Sequence, residues 1–216
     1  MSGIQQMLTG GTYKPAPPTT IGQAYGGGYY AGKIAVGGGG VATHYLIVAP
    51  KASGENSSRA WGVTGTTTGI TSTIDGPSNS ASLAALGASY QAATFCEGLN
   101  IGGYTDWYLP ASNEMEVVYY FLKPSTVSND VSYGANAYAV SPEPISTNYT
   151  SGSPAQTSAG IGFRLGETNA LAQDDYYTST EFNSNAAKVF NTGNGSQTAL
   201  TKTAGQPVRA VRRIPV

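Results

Sequence analysis

The segment GGYTDWYLPASNEMEVVYYFL, residues 102–122, constrains the fold more than any other part of the chain. A glycine pair sets a turn, Leu109-Pro110 fixes the backbone beyond it, and the acidic, aromatic run that follows has helical spacing. A helix is therefore expected from near Ser112, with Ser112 as its cap and Glu114 and Glu116 at the positive end of the helix dipole. Val117, Tyr120 and Phe121 form its inner face, and Lys123-Pro124 ends it. So dense a cluster of signals is either a working site or the piece that locks a fold together.

A second helix is expected over residues 80–99, SASLAALGASYQAATFCEGL, capped by Ser80 or Ser82 and rich in alanine. Ala85, Ala88, Ala92, Phe95, Cys96 and Leu99 recur at steps of three and four, so this stripe is expected to be buried. Upstream, YYAGKIAV and THYLIVAP read as a β-hairpin joined across GGGG at 37–40, a tract that specifies register weakly. GGGG lacks the Gly-Lys-Ser/Thr ending of a phosphate-binding loop. Residues 51–79 carry Trp61 and read as polar loop. Beyond Pro124 the chain is turn-rich, with YYTSTEF, AAKVFNT and QPVRAVRRI as strands and residues 192–195 as a turn. Arg209 and Arg213 share one face of the last strand and Arg212 takes the other, as salt-bridge partners within the domain or between subunits. Residues 1–19, which include GGTYKPAPPT, read as an extended arm that anchors on a neighbour, leaving residues 20–216 as the domain.

The charge balance removes whole classes of partner. With 11 Lys plus Arg against 12 Asp plus Glu, the net charge is −1, and there is no basic field to gather nucleic acid. Charged residues make up only 11% of the chain while Tyr numbers 15, so the surface must be built from Ser, Thr, Asn and Tyr, the palette of adaptable binding faces. Cys96 is the single cysteine, so packing rather than disulfides must hold the fold. No run is long and apolar enough for a membrane span, and MSGIQQMLTGG carries no leader pattern, so synthesis and first folding in a cytoplasm are expected.

Catalysis is poorly equipped. One His and one Cys support neither a triad nor a zinc site. Glu114 and Glu116 are two apart on a helix and do not share a face, and Asp174-Asp175 reads as a solvated turn, so a carbohydrate-active enzyme is the least favoured class. Calcium would have to draw on Glu143, Asp174, Asp175 and Glu181 without the acidic sugar-binding motifs that usually hold it. No metal and no cofactor are expected.

The order of the pieces carries a resemblance. IGQAYGGGYYAGKI, YLIVAP, AWG, the helix ending in FCEGL, GGYTDWYLPASNEMEVVY, YYTSTEFNSNAAKVF, the Asn-Gly turn and the closing VRAVRRI follow one another as in the lectin-like domain of Legionella collagen-like adhesins and related bacterial and phage proteins. The resemblance spans residues 20–214. It implies an α+β, C-type lectin-like fold: two helices and a small twisted antiparallel sheet, rich in loops, behind the N-terminal arm. In such a fold Asp106, Trp107, Leu109 and Pro110 are implied to be structural, with Trp107 buried between the helices and Asp106 binding turn amides. Ligand contacts are implied on the late strands, where Tyr176, Tyr177, Asn183, Asn185, Asn191 and Asn194 combine stacking faces with amide donors and acceptors. The function expected first is a non-enzymatic bacteriophage virion protein, on tail or capsid, that binds a host-surface glycan or protein or decorates the particle. Its arm would contact other virion proteins. A homo-oligomer is expected, a trimer being consistent with phage fibres. A secreted, extracellular bacterial adhesin is the alternative.

Overall fold

The computed structural model describes residues 16–216. Residues 1–15, most of the expected arm, lie outside the described residues, and with them its contacts to other proteins. In chain order the elements are β1 (Ala24–Tyr25), β2 (Gly28–Ile34), β3 (His44–Val48), α1 (Lys51–Gly54), β4 (Glu55–Arg59), α2 (Gly76–Ala85), α3 (Gln91–Glu97), α4 (Ser112–Leu122), β5 (Asp175–Glu181), β6 (Ala186–Asn191), β7 (Gln197–Thr201), β8 (Gln206–Arg209) and β9 (Val211–Pro215). The architecture is α+β. Three antiparallel sheets, ordered β1-β2-β3-β9, β4-β8 and β5-β6-β7, replace the one small sheet expected.

Strand alternation explains the core. Along β3, Tyr45 and Ile47 enter one apolar cluster with Tyr30, Trp61, Trp107 and Tyr177. Leu46 and Val48 point the other way, into a second cluster with Val117, Tyr119, Tyr176 and Phe190. β5 and β6 divide in the same way, Tyr177 and Val189 to the first cluster and Tyr176 and Phe190 to the second. Both faces of these strands are therefore covered. The β2–β3 hairpin forms as expected, and its register is held by more than the GGGG turn. A bulge between Tyr30 and Gly32 fixes β2, and β9 pairs with β3 from His44 to Val48.

Gly32 is required at that bulge. Its φ is +127°, and a Cβ there would lie 2.6 Å from Phe121 Cδ2 and 3.0 Å from Val117 Cγ1 on α4. Gly32→Ala is expected to cost about 1–3 kcal/mol through backbone strain and overpacking together. Chemical denaturation would read this as a lower midpoint with an unchanged slope.

The helices depart from expectation in instructive ways. The single helix over residues 80–99 is two, α2 and α3, broken at Gly87, whose φ of +107° no helix tolerates. α2 begins at Gly76, not at Ser80 or Ser82: Asp75 caps it by accepting from Ser78 N at 3.4 Å, with Pro77 in the first turn. Ala85 and Ala88 fall at the break and are exposed, whereas Ala92 and Cys96 are buried. Within the stretch read as loop, α1 forms and leads into β4, for which β8 supplies a pairing partner far along the chain. α4 starts where expected, but its N-cap is Ala111, and Glu114 Oε2 accepts from Ala111 N at 2.8 Å. Wedged between the sheets and the loop that follows it, α4 is buried almost all round, with Tyr120 and Phe121 among its less covered residues.

Candidate functional site

Residues 104–110 join three elements. Tyr108 and Val211 of β9 exchange backbone hydrogen bonds of 2.9 and 3.0 Å, Leu109 N donates to Ser80 Oγ on α2 at 3.0 Å, and Ser179 N of β5 donates to Pro110 O at 2.8 Å. Asp106 does not bind turn amides. Its two oxygens take Nε and Nη2 of Arg212, both at 2.8 Å, which holds that guanidinium 3.9 Å above the Tyr104 ring and 5.8 Å from that of Trp107. Trp107 is fully buried, in one apolar cluster with Leu83 of α2 and Ala92 and Cys96 of α3, and it also packs against the backbone that opens β2: a Cβ on Gly28 would lie 3.0 Å from its Cη2.

The six side chains expected to meet a ligand do not form one site. Tyr176 and Tyr177 are fully buried, because consecutive strand residues here face two covered cores. Tyr176 donates to Glu55 Oε2 at 2.9 Å, and Tyr177 donates to Thr201 O; burial pushes the Tyr177 hydroxyl up to about 12. Asn183 and Asn185 are exposed in the β5–β6 turn, while Asn191 and Asn194 lie at the far end of β6. A strand of that length separates the two pairs by roughly 17–20 Å. The amides serve turns: Asn183 Oδ1 accepts from Asn185 N and Ala186 N, Asn191 Oδ1 from Gly193 N and Asn194 N, and Asn194 Oδ1 from Ser196 N.

The same sheet nevertheless carries a groove of about 410 Å³, lined by Tyr133, Phe182, Lys188, Gln197, Thr198 and Ala199. Lys188 and Ala199 are direct cross-strand partners on β6 and β7, and Gln197 lies two residues further along the same face. Phe182 follows the last residue of β5 and is 60% exposed, an unusual state for so large an apolar ring. Tyr133 arrives from the long segment between α4 and β5, its carbonyl accepting from Tyr149 N at 2.7 Å. Among the described residues the polar side-chain atoms of Lys188, Gln197 and Thr198 have no partner. Aromatic faces beside free donors and acceptors suit a polar, ring-shaped ligand such as a sugar. Phe182, next to the Asn183 singled out from sequence, was the available signal; Tyr133 had none.

Elsewhere many of the charged groups are engaged within the fold. Arg209 is buried and binds Ala49 O and Glu55 Oε2, both at 2.7 Å, while Arg213 Nε binds Glu114 Oε1 at 2.8 Å. With Arg212 on Asp106, all three terminal arginines are partners within the domain. Burial pushes the Glu181 carboxyl up, but Lys202 at 2.5 Å and the amides of Thr68 and Gly69 outweigh it and hold it below the usual range. Asp175 Oδ1 accepts from Asn191 Nδ2 at 2.9 Å, and Asp174 Oδ1 from Asp175 N at 2.8 Å. Among the described residues no three His, Cys, Asp or Glu side chains come together as metal ligands. Burial pushes the Cys96 thiol far up, which leaves it a small apolar filler. No helix among the described residues is long and apolar enough to cross a membrane.

Two acids do meet. Glu116 on α4 and Glu143 from the long segment are both buried, and Asn136 Nδ2 lies 2.6 Å from Glu116 Oε2 and 3.4 Å from Glu143 Oε1. Tyr149 OH donates to Glu116 Oε1. Helical spacing correctly kept Glu116 away from Glu114, but nothing local pointed to Glu143.

The family model described as Lcl C-terminal domain matches residues 55–212, from the start of β4 into β9. No curated protein matches the chain.

Proposed function

The chain belongs to the Lcl C-terminal domain family, and on that premise we propose that it is a non-enzymatic recognition module of a bacterial adhesin. In this reading it works outside the cell, has a C-type lectin-like fold, and holds a host-surface glycan in the groove on β6 and β7. The observation that carries the reading is the groove itself: an exposed Phe182 beside Lys188, Gln197 and Thr198, whose polar atoms have no partner among the described residues. Among the described residues no carboxylate, imidazole or thiol lines it, so it offers stacking and hydrogen bonds rather than acid–base chemistry. Weak binding by one copy suffices if the module self-associates, since tethered copies gain avidity without new contacts.

A glycan array probed with the full chain tests this. Phe182→Ala and Lys188→Ala are each expected to weaken the best glycan signal by about tenfold, which is about 1.4 kcal/mol, with little change in melting temperature. Binding unchanged in both variants would remove the groove from consideration. The same module carried on a phage tail or capsid is the second reading, favoured by the sparse charge and the abundance of Tyr. Proteomics of purified virions against culture supernatant separates the two carriers.

A further inference from the structure

The contact between Glu116 and Glu143 is electrostatically incomplete. Their oxygens can draw on one Tyr149 hydroxyl and the two protons of the Asn136 amide. That amide also lies 3.1 Å from Asn113 O, and its orientation is fixed because Asn136 Oδ1 accepts from Tyr138 N at 3.0 Å. Glu143 Oε2 is buried with no hydrogen-bond partner among the described residues. Among the described residues the titratable groups around the pair are Tyr119 and Tyr120 from α4 and Tyr149 from the facing segment, and none is a cation. Lys123 lies about two turns along, but its ammonium is bound to Val127 O, Asn129 Oδ1 and Pro154 O. Two buried negative charges without a counter-ion cannot both persist.

We propose that Glu116 and Glu143 hold one proton between them as a latch fastening residues 130–150 to α4, and that loss of this proton to solvent as pH rises frees that segment and reshapes the groove. The link to the groove is short: Tyr149 touches Glu116 through its hydroxyl and Tyr133 through its backbone, and Tyr133 is a groove wall. Gly134 keeps the joint tight, because a Cβ there would overlap the Tyr149 ring. Burial raises both carboxyls above the ordinary 4.5, Glu143 the further because Glu116 lies beside it. The sign follows. With folded values above the unfolded ones, the latch is at full strength below 4.5 and weakens as pH climbs to the raised value. Because the pair titrates as a unit, the transition belongs to both acids together. The effect on ligand rests on the groove being the binding face; the latch itself does not.

Hydrogen–deuterium exchange of the full chain, followed by mass spectrometry from pH 5 to 8 and corrected for the chemical exchange rate, tests the latch without any ligand. In the wild type, protection of peptides spanning residues 130–150 is expected to fall by up to about tenfold per pH unit, the slope for one released proton. Peptides covering β2 and β3 should stay level. In Glu143→Gln, where the like charge is gone, the slope should drop below half that of the wild type. A level profile in the wild type, or a slope retained in the variant, overturns the proposal. Should Glu143→Gln fail to fold, Glu116→Gln is read by the same criterion. Failure here leaves the glycan-array result untouched, so the latch and the binding face stand or fall separately.

Discussion

Replacing Trp107 with Ala is expected to destabilise the domain by about 3–5 kcal/mol, a large fraction of the roughly 5–15 kcal/mol that holds a typical fold. The ring is fully buried, under the backbone of Gly27 and Gly28 and beside the Arg212 guanidinium that Asp106 clamps. Its removal opens a cavity where β2, β9 and residues 104–110 converge, and rigid backbone on one side limits collapse into the space. Among the described residues Trp107 Nε1 has no hydrogen-bond partner, so the loss is almost wholly one of packing. Trp107→Phe should therefore recover a good part of the stability in urea denaturation. A loss below about 1 kcal/mol for the Ala variant would show that the site relaxes and that the segment is not what locks the fold.

Lys202→Met is the second large effect, again about 3–5 kcal/mol at neutral pH. Lys202 and Glu181 are both buried, and the ammonium also meets Thr66 O at 2.7 Å and lies 4.9 Å from the Trp61 ring. Methionine fills much of the volume but leaves Glu181 charged with two backbone amides as its remaining donors. The pH dependence separates this cause from simple misfit. Glu181 is held below the ordinary carboxylate range, so its contribution is present above the unfolded value and is lost as pH falls through the folded one. In the variant the buried acid is protonated more easily, so the gap in melting temperature between wild type and Lys202→Met should narrow as pH drops below 4.5. A gap that stays constant with pH would point to packing instead. Glu116 and Glu143 slope in the opposite direction, so one domain holds two buried acid sites of opposite sign.

Local signals in the sequence were legible where the chain itself enforces them. The start and stop of α4, the β2–β3 hairpin, the turn at residues 192–195 and the alternation of β5 and β6 all follow from caps, prolines, glycines and period-two patterning. The break between α2 and α3 was missed because Gly87 in a helical pattern is ambiguous: the same residue is tolerated in a helix or ends one, and only the packing of Tyr90 and Leu83 into the core decides. The true start of α2 was present as Asp75-Gly76-Pro77, a cap followed by a first-turn proline. The burial of Tyr176 and Tyr177 departs from expectation for a deeper reason. Alternation shows that neighbours face opposite ways, but not whether both sides are covered, and here α4 covers the second. The groove and the acid pair need Tyr133 and Glu143, which reach the sheet and α4 from a segment without regular elements and so leave no periodic trace.

β9 has a consequence for how the protein comes to exist. The last strand is not an ornament on a finished body: it zips onto β3 on one side and bonds Tyr108 on the other, and it brings the arginines that Asp106 and Glu114 require. While residues 211–215 remain inside a ribosome, the preceding chain has an open β3 edge and two acids without counter-charges. Closing that sheet means joining residues about as far apart in sequence as this domain allows, a slow class of event because the entropy of the loop must be overcome before the contacts form. Assembly of this domain thus waits for its last strand to emerge, and shielding the exposed β3 edge until then is the demand it places on the cell's folding machinery.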